Sequence, residues 1–114
     1  MKKANILLNT VKKTVSIQVK GRMTKEDSAL FIEEYSKKVN SINPAEYTLE
    51  VDCVEMPVVT PEMAEELTGV MGLYKSTGFN KVIFQIKDSS VLKMQLSRIA
   101  RTAGLTNATV VDLA

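Results

Sequence analysis

Two carboxylates, Glu62 and Glu66, stand one helical turn apart, the spacing that would let one residue donate a proton while the other accepts it, or let both hold a metal. Neither chemistry has the company it needs. The chain has no histidine and a single cysteine, Cys53. That excludes a disulfide framework, a Cys/His zinc site, a Cys–His dyad and a Ser–His–Asp triad. No third ligand or apolar pocket is legible around the two glutamates, so they read as part of an acidic first turn, with Glu65, facing the positive end of a helix dipole. Cys53 sits in an apolar alternating segment and reads as packing, not as a nucleophile. Thr60 is the remaining hydroxyl of interest. It precedes Pro61 and Glu62, which makes it a helix N-cap and, in a second reading, a site that a kinase could use. Without a nucleophile or base in a recognisable setting, the expectation is a non-enzymatic protein that needs no cofactor and no metal.

Length and composition agree. At 114 residues, 45% apolar and 25% charged, the chain is expected to form one globular domain over residues 1–114 with a real core. The net charge of +2 is too mild to imply nucleic acid, and aromatic residues are missing from the basic N-terminal stretch. Charge is nonetheless segregated. The first 25 residues hold seven basic side chains and no acidic one, residues 26–66 hold eleven acids against two lysines, and residues 67–114 are basic again. Such asymmetry can steer a partner, although most surface charge simply solvates separate faces. Lys93, Arg98 and Arg101 read as one such solvated face. The basic start is followed by only three apolar residues in a row, too few for a secretory signal, and no run approaches the ~20 apolar residues of a membrane span. With one cysteine that looks like core, the protein is expected to be cytoplasmic.

The elements that must position these residues follow from periodicity. Ile6 to Asn9 forms a short strand, joined through Thr10–Thr14 to a strand on which Val15, Ile17 and Val19 alternate with polar residues. Gly21 breaks it. Thr24 and Asp27 resemble a capping box, and a helix is expected from about Lys25 to Ile42 on the stripe Phe31, Ile32, Tyr35, Val39 and Ile42. Tyr47, Leu49, Val51 and Cys53 give the next strand. Thr60-Pro61-Glu62 starts a second helix, with Met63, Leu67, Val70, Met71 and Tyr74 on its buried face and Gly78 as its C-terminal cap. Gly69 and Gly72 weaken that helix by about 1 kcal/mol each relative to Ala, and close packing on a neighbour is the expected reason. Val82–Ile86 is a strand. Ser89 and Ser90 cap a third helix carrying Leu92, Leu96, Ile99, Ala100 and Ala103, which Gly104 ends. Thr109–Leu113 is a last strand. The order β-β-α-β-α-β-α-β predicts an α/β fold, a mixed four- to five-stranded sheet with about three helices.

Three segments carry a likeness to a known family. They are Val15-Ser16-Ile17-Gln18-Val19-Lys20-Gly21-Arg22-Met23-Thr24, Leu49-Glu50-Val51-Asp52-Cys53-Val54-Glu55-Met56, and Gly78-Phe79-Asn80-Lys81-Val82. Together with the element order they resemble the STAS domain of bacterial anti-sigma factor antagonists, over nearly the whole chain. The resemblance implies a STAS-like fold and a regulatory role through protein–protein contact, with an anti-sigma factor or a related switch kinase as partner. The family carries Asp-Ser-Ser-Gly at the start of its second helix, and a partner kinase phosphorylates a serine there. Val59-Thr60-Pro61-Glu62-Met63 takes that place here. Thr60 falls near the family's Asp and Pro61 near the phosphoacceptor, so the usual switch residue is missing and Thr60 is the candidate displaced phosphosite. Asp52 matches the family's acid near the strand end, a position better read as structural.

The partner-binding residues expected on this reading are Met56, Pro57, Val58, Val59, Thr60 and Glu62, an apolar loop and the helix start behind it. The alternative from another class is a binder of small ligands or acidic lipid surfaces, motivated by the basic N-terminal stretch and the same apolar loop. A homodimer, through a sheet edge or through the small-residue face of the second helix, is also compatible with the pattern.

Overall fold

In the computed structural model, which describes residues 4–20, 25–56 and 58–113, five strands and three α-helices alternate. They are β1 (Ala4–Asn9), β2 (Thr14–Lys20), α1 (Lys25–Val39), β3 (Thr48–Glu55), α2 (Pro61–Thr77), β4 (Lys81–Ile86), α3 (Ser90–Thr102) and β5 (Ala108–Asp112). A 3₁₀ turn at Pro44–Glu46 leads into β3. The sheet order follows the sequence, β1-β2-β3-β4-β5, with β1 antiparallel to β2 and every later pair parallel. This is the mixed α/β sheet that the periodicity predicts, with five strands. Gly21, the Thr24 cap and Pro57 fall outside the described residues.

Because the strands advance in one direction, right-handed crossovers put all three helices on the same face. Burial shows the result. On β3, Leu49, Val51 and Cys53 are buried while Thr48, Glu50, Asp52 and Val54 are only half-buried. The same alternation puts Val15, Ile17 and Val19 of β2 and Val82, Phe84 and Ile86 of β4 into one core with Phe31, Tyr35, Met71, Tyr74, Leu92 and Leu96 from the helices. Among the described residues no helix lies on the opposite face, which is largely polar. Register places Ser16, Glu50 and Ile83 side by side on it, and Gln18, Asp52 and Gln85 in the next row.

The caps form as the sequence leads one to expect. Met63 N–H donates to Thr60 Oγ1 at 3.2 Å, and Leu92 N–H donates to Ser89 Oγ at 3.1 Å. Gly78 ends α2 in the left-handed conformation at φ 84°, where any Cβ would be strained.

Four expectations need correction. Helix α1 stops at Val39, three residues early, where Ile42 N–H turns back to the Val39 carbonyl and Ser41 Oγ donates to the Lys38 carbonyl. Ile32 is 40% exposed, since it lies 100° around the helix from Phe31, at the edge of the stripe centred on Tyr35. Ser90 is the first residue of α3, and the cap is Ser89 alone. Finally, Gly69 and Gly72 are not packing glycines: a Cβ at either position would meet nothing within 4 Å.

Candidate functional site

The segment between β3 and α2 lies at the carboxyl end of a parallel strand, the rim where open α/β sheets place their binding loops. Its residues divide sharply. Met56 and Val59 are both buried at 8% exposure and belong to the core, whereas Val58 between them is 56% exposed. Among its described residues, the apolar loop predicted as a contact surface is thus anchored at Met56 and Val59 and exposes Val58. Thr60 is half-buried, its hydroxyl oxygen occupied as the cap of α2, and Pro61 at the first helical position has no hydroxyl to modify. Glu62 is exposed beside it.

A residue that the sequence did not single out holds this loop. Gln95, on α3, accepts from Val59 N–H through Oε1 at 2.9 Å and donates through Nε2 to the Val59 carbonyl at 3.0 Å. Its side-chain amide therefore pairs with both polar groups of one backbone unit, 36 residues away in sequence, as a neighbouring strand would. Val91 precedes Gln95 by one helical turn on the same side of α3 and is 48% exposed, and Met94 is 59% exposed. Val58, on the clamped loop, and Val91 and Met94, on the clamping helix, are thus three exposed apolar side chains in the two segments that Gln95 joins. Val91 and Met94 fall outside the α3 stripe, which was the legible signal for them.

The other singled-out residues stay structural. Asp52 Oδ1 accepts from Val54 N–H at 3.0 Å and stabilises the irregular end of β3, where the β2 register shifts between Gln18 and Lys20. Cys53 is 1% exposed, and burial, helped by the nearby Asp52 carboxylate, pushes its thiol up to about 12. It has none of the thiolate character that reactivity requires. Tyr35 is likewise raised to about 12 by burial, against the opposing hydrogen bond between its hydroxyl and Thr77 Oγ1 at 2.6 Å. Burial raises Tyr74 well above the ordinary tyrosine value as well.

Glu62 and Glu66 do not converge. Glu62 is exposed, while Glu66 is half-buried and lines a groove between α1 and α2 with Lys25, Ser28 and Gly69. Among the described residues no three Cys, His, Asp or Glu side chains gather as a metal site. Beneath α2 are two apolar cavities of about 30 Å³ each, bordered by Met56, Leu67 and Val70. Each has room for little more than a methyl group. Lys93, Arg98 and Arg101 are all exposed. No helix among the described residues is long and apolar enough to cross a membrane.

No protein-family model matches the chain, and no curated protein matches it.

Proposed function

We propose that this chain is a non-enzymatic, STAS-like regulatory module of the bacterial cytoplasm that binds a protein partner through the β3–α2 loop and the start of α2. The partner implied by the resemblance is an anti-sigma factor or a related switch kinase. One observation carries the reading. Val58 is exposed on a loop in which Met56 and Val59 are buried and the Val59 backbone is clamped by Gln95. An exposed apolar side chain next to a backbone unit already held in place costs little entropy to bind. Because Pro61 stands near the family's acceptor position, binding on this reading is constitutive and insensitive to ATP.

The test is capture from lysate of the native cell, with the purified chain as bait, with and without ATP, read by mass spectrometry. The expected result is a kinase-like protein retained in both conditions and lost with Val58→Glu. Release by ATP, with phosphate on Thr60, would replace constitutive binding by a displaced switch. Equal capture by Val58→Glu would remove the loop from the reading.

The lipid alternative has one observation in its favour. The β1–β2 turn exposes Val11, at 91%, next to the exposed Lys12 and Lys13, an apolar tip with cations beside it. Flotation with acidic vesicles at low salt checks it, and the absence of flotation would reject it.

A further inference from the structure

Helices α1 and α2 border an open groove of about 310 Å³, within the range of roughly 300–1,000 Å³ at which clefts hold small molecules. Helix α1 lines it with Lys25 and Ile32, and α2 with Glu65, Glu66, Gly69 and Val70. Packing does not explain Gly69. Glycine weakens a helix relative to alanine, yet a Cβ here would meet nothing within 4 Å. The fold has room for a side chain at this position. What a side chain would obstruct is the groove.

The groove adjoins the core. Ser28, Glu66 and Val70 border both the groove and the nearer of the two small apolar cavities beneath α2. Val70, with Val19, Met56 and Leu67, also borders the second cavity. Apolar space the size of a methyl group thus adjoins an outer space that carries both signs of charge. Glu66 is half-buried and Glu65 exposed on one wall, and Lys25 is exposed on the other. The charged residues close to these in sequence are mostly acidic. They are Glu26, Asp27, Glu33 and Glu62, with Lys37 placed 3.6 Å from Glu33, while Arg22 lies outside the described residues. A cation is therefore favoured beside Glu65 and Glu66, and Lys25 supplies the counter-charge for an anion.

We propose that this groove binds a free α-amino acid with an aliphatic side chain, of which leucine is the type. Its α-ammonium group lies against Glu66 and Glu65, and its α-carboxylate against Lys25. Its terminal methyl groups enter the nearer cavity, which Leu67 and Val70 border. The three features of such a ligand, one cation, one anion and an apolar end, each meet their complement, and Gly69 leaves the entrance clear. Alanine is too short to reach the cavity, and an aromatic ring is too broad for it. None of the loop residues Val58, Val59 and Thr60 lines the groove, so the inference stands apart from the partner-binding proposal.

Titration of the ¹⁵N-labelled full chain with L-leucine, followed by amide chemical shifts, tests it. Saturable shifts are expected at Ser28, Glu66 and Gly69, with a Kd at or below about 1 mM. Leucine amide lacks the carboxylate and N-acetyl-leucine lacks the ammonium group, and each should bind about tenfold more weakly or worse, as should alanine. Glu66→Gln should weaken leucine binding by about the same factor. Gly69→Leu places a side chain in the groove and should abolish binding while its urea midpoint stays at or above that of the wild type. That midpoint separates a blocked site from a misfolded chain. No saturable shift with leucine, isoleucine or methionine up to about 10 mM would overturn the proposal. So would shifts confined to residues away from the groove, either blocked form binding as well as leucine, or Gly69→Leu binding leucine at wild-type strength.

Discussion

Helices α2 and α3 pack on the same sheet but are seated differently. Helix α3 sets Leu92, Leu96, Ile99 and Ala100 into the core at 6% exposure or less and has no glycine. Helix α2 is longer, yet only Met63, Met71 and Tyr74 are buried, Gly69 and Gly72 face open space, and both small cavities lie against its Leu67 and Val70. The lesson is that α3 is the fixed wall of this domain and α2 the loosely fitted one. The loop that starts α2 owes its order as much to α3, through Gln95, as to its own helix.

Alkali should break the comparison most strongly. The buried ionisable groups Tyr35, Tyr74 and Cys53 lie on α1, α2 and the strand between them, while the core face of α3 is aliphatic. Each has a folded pKa above its unfolded value, so its stabilising contribution is complete below the unfolded value and is lost as pH rises through the folded one. The urea midpoint should therefore fall as pH rises above 9, where Cys53 begins, and faster above 10, where the tyrosines join. A midpoint unchanged up to pH 11 would contradict this.

Truncation comes next. Leu96→Ala, at a fully buried position, should cost about 3 kcal/mol in urea unfolding, whereas Leu67→Ala, half-buried beside existing space, should cost about 1 kcal/mol. Equal losses would erase the distinction between the two helices. Gln95→Ala leaves the Val59 N–H and carbonyl without their partner and should cost about 2 kcal/mol. Proteolysis should then open the chain near Val58 first. At the small end, Gly69→Ala and Gly72→Ala should each stabilise by up to about 1 kcal/mol, since the added methyl clashes with nothing. Val70→Ile, reaching into the cavities, should add a few tenths of a kcal/mol.

Local patterns carried most of the fold. The alternation on β2 and β3, the apolar strand β4, the caps at Thr60 and Ser89, and the glycines at 78 and 104 are each statements about a few adjacent residues, and each formed as expected. The β1–β2 turn was harder because it lacks glycine and proline. Its chemistry lies in Asn9, whose Oδ1 accepts from Val11 and Lys12 N–H, and in Lys13 at φ 53°. The candidate site was legible only in part. The sequence marks Met56–Val59 as apolar but cannot say which side chains turn inward, because that depends on α3. Gln95 gives no local signal at all: a glutamine on a helix reads as solvated until a distant loop supplies its partners.

The Gln95 clamp also changes what an amide proton reports. Most loop amides exchange with solvent through their own local openings. The Val59 proton is held by a side chain rooted in α3, so its exchange is tied to opening of α3 or release of the glutamine. Slow exchange at Val59 would record how firmly a helix more than thirty residues away is seated.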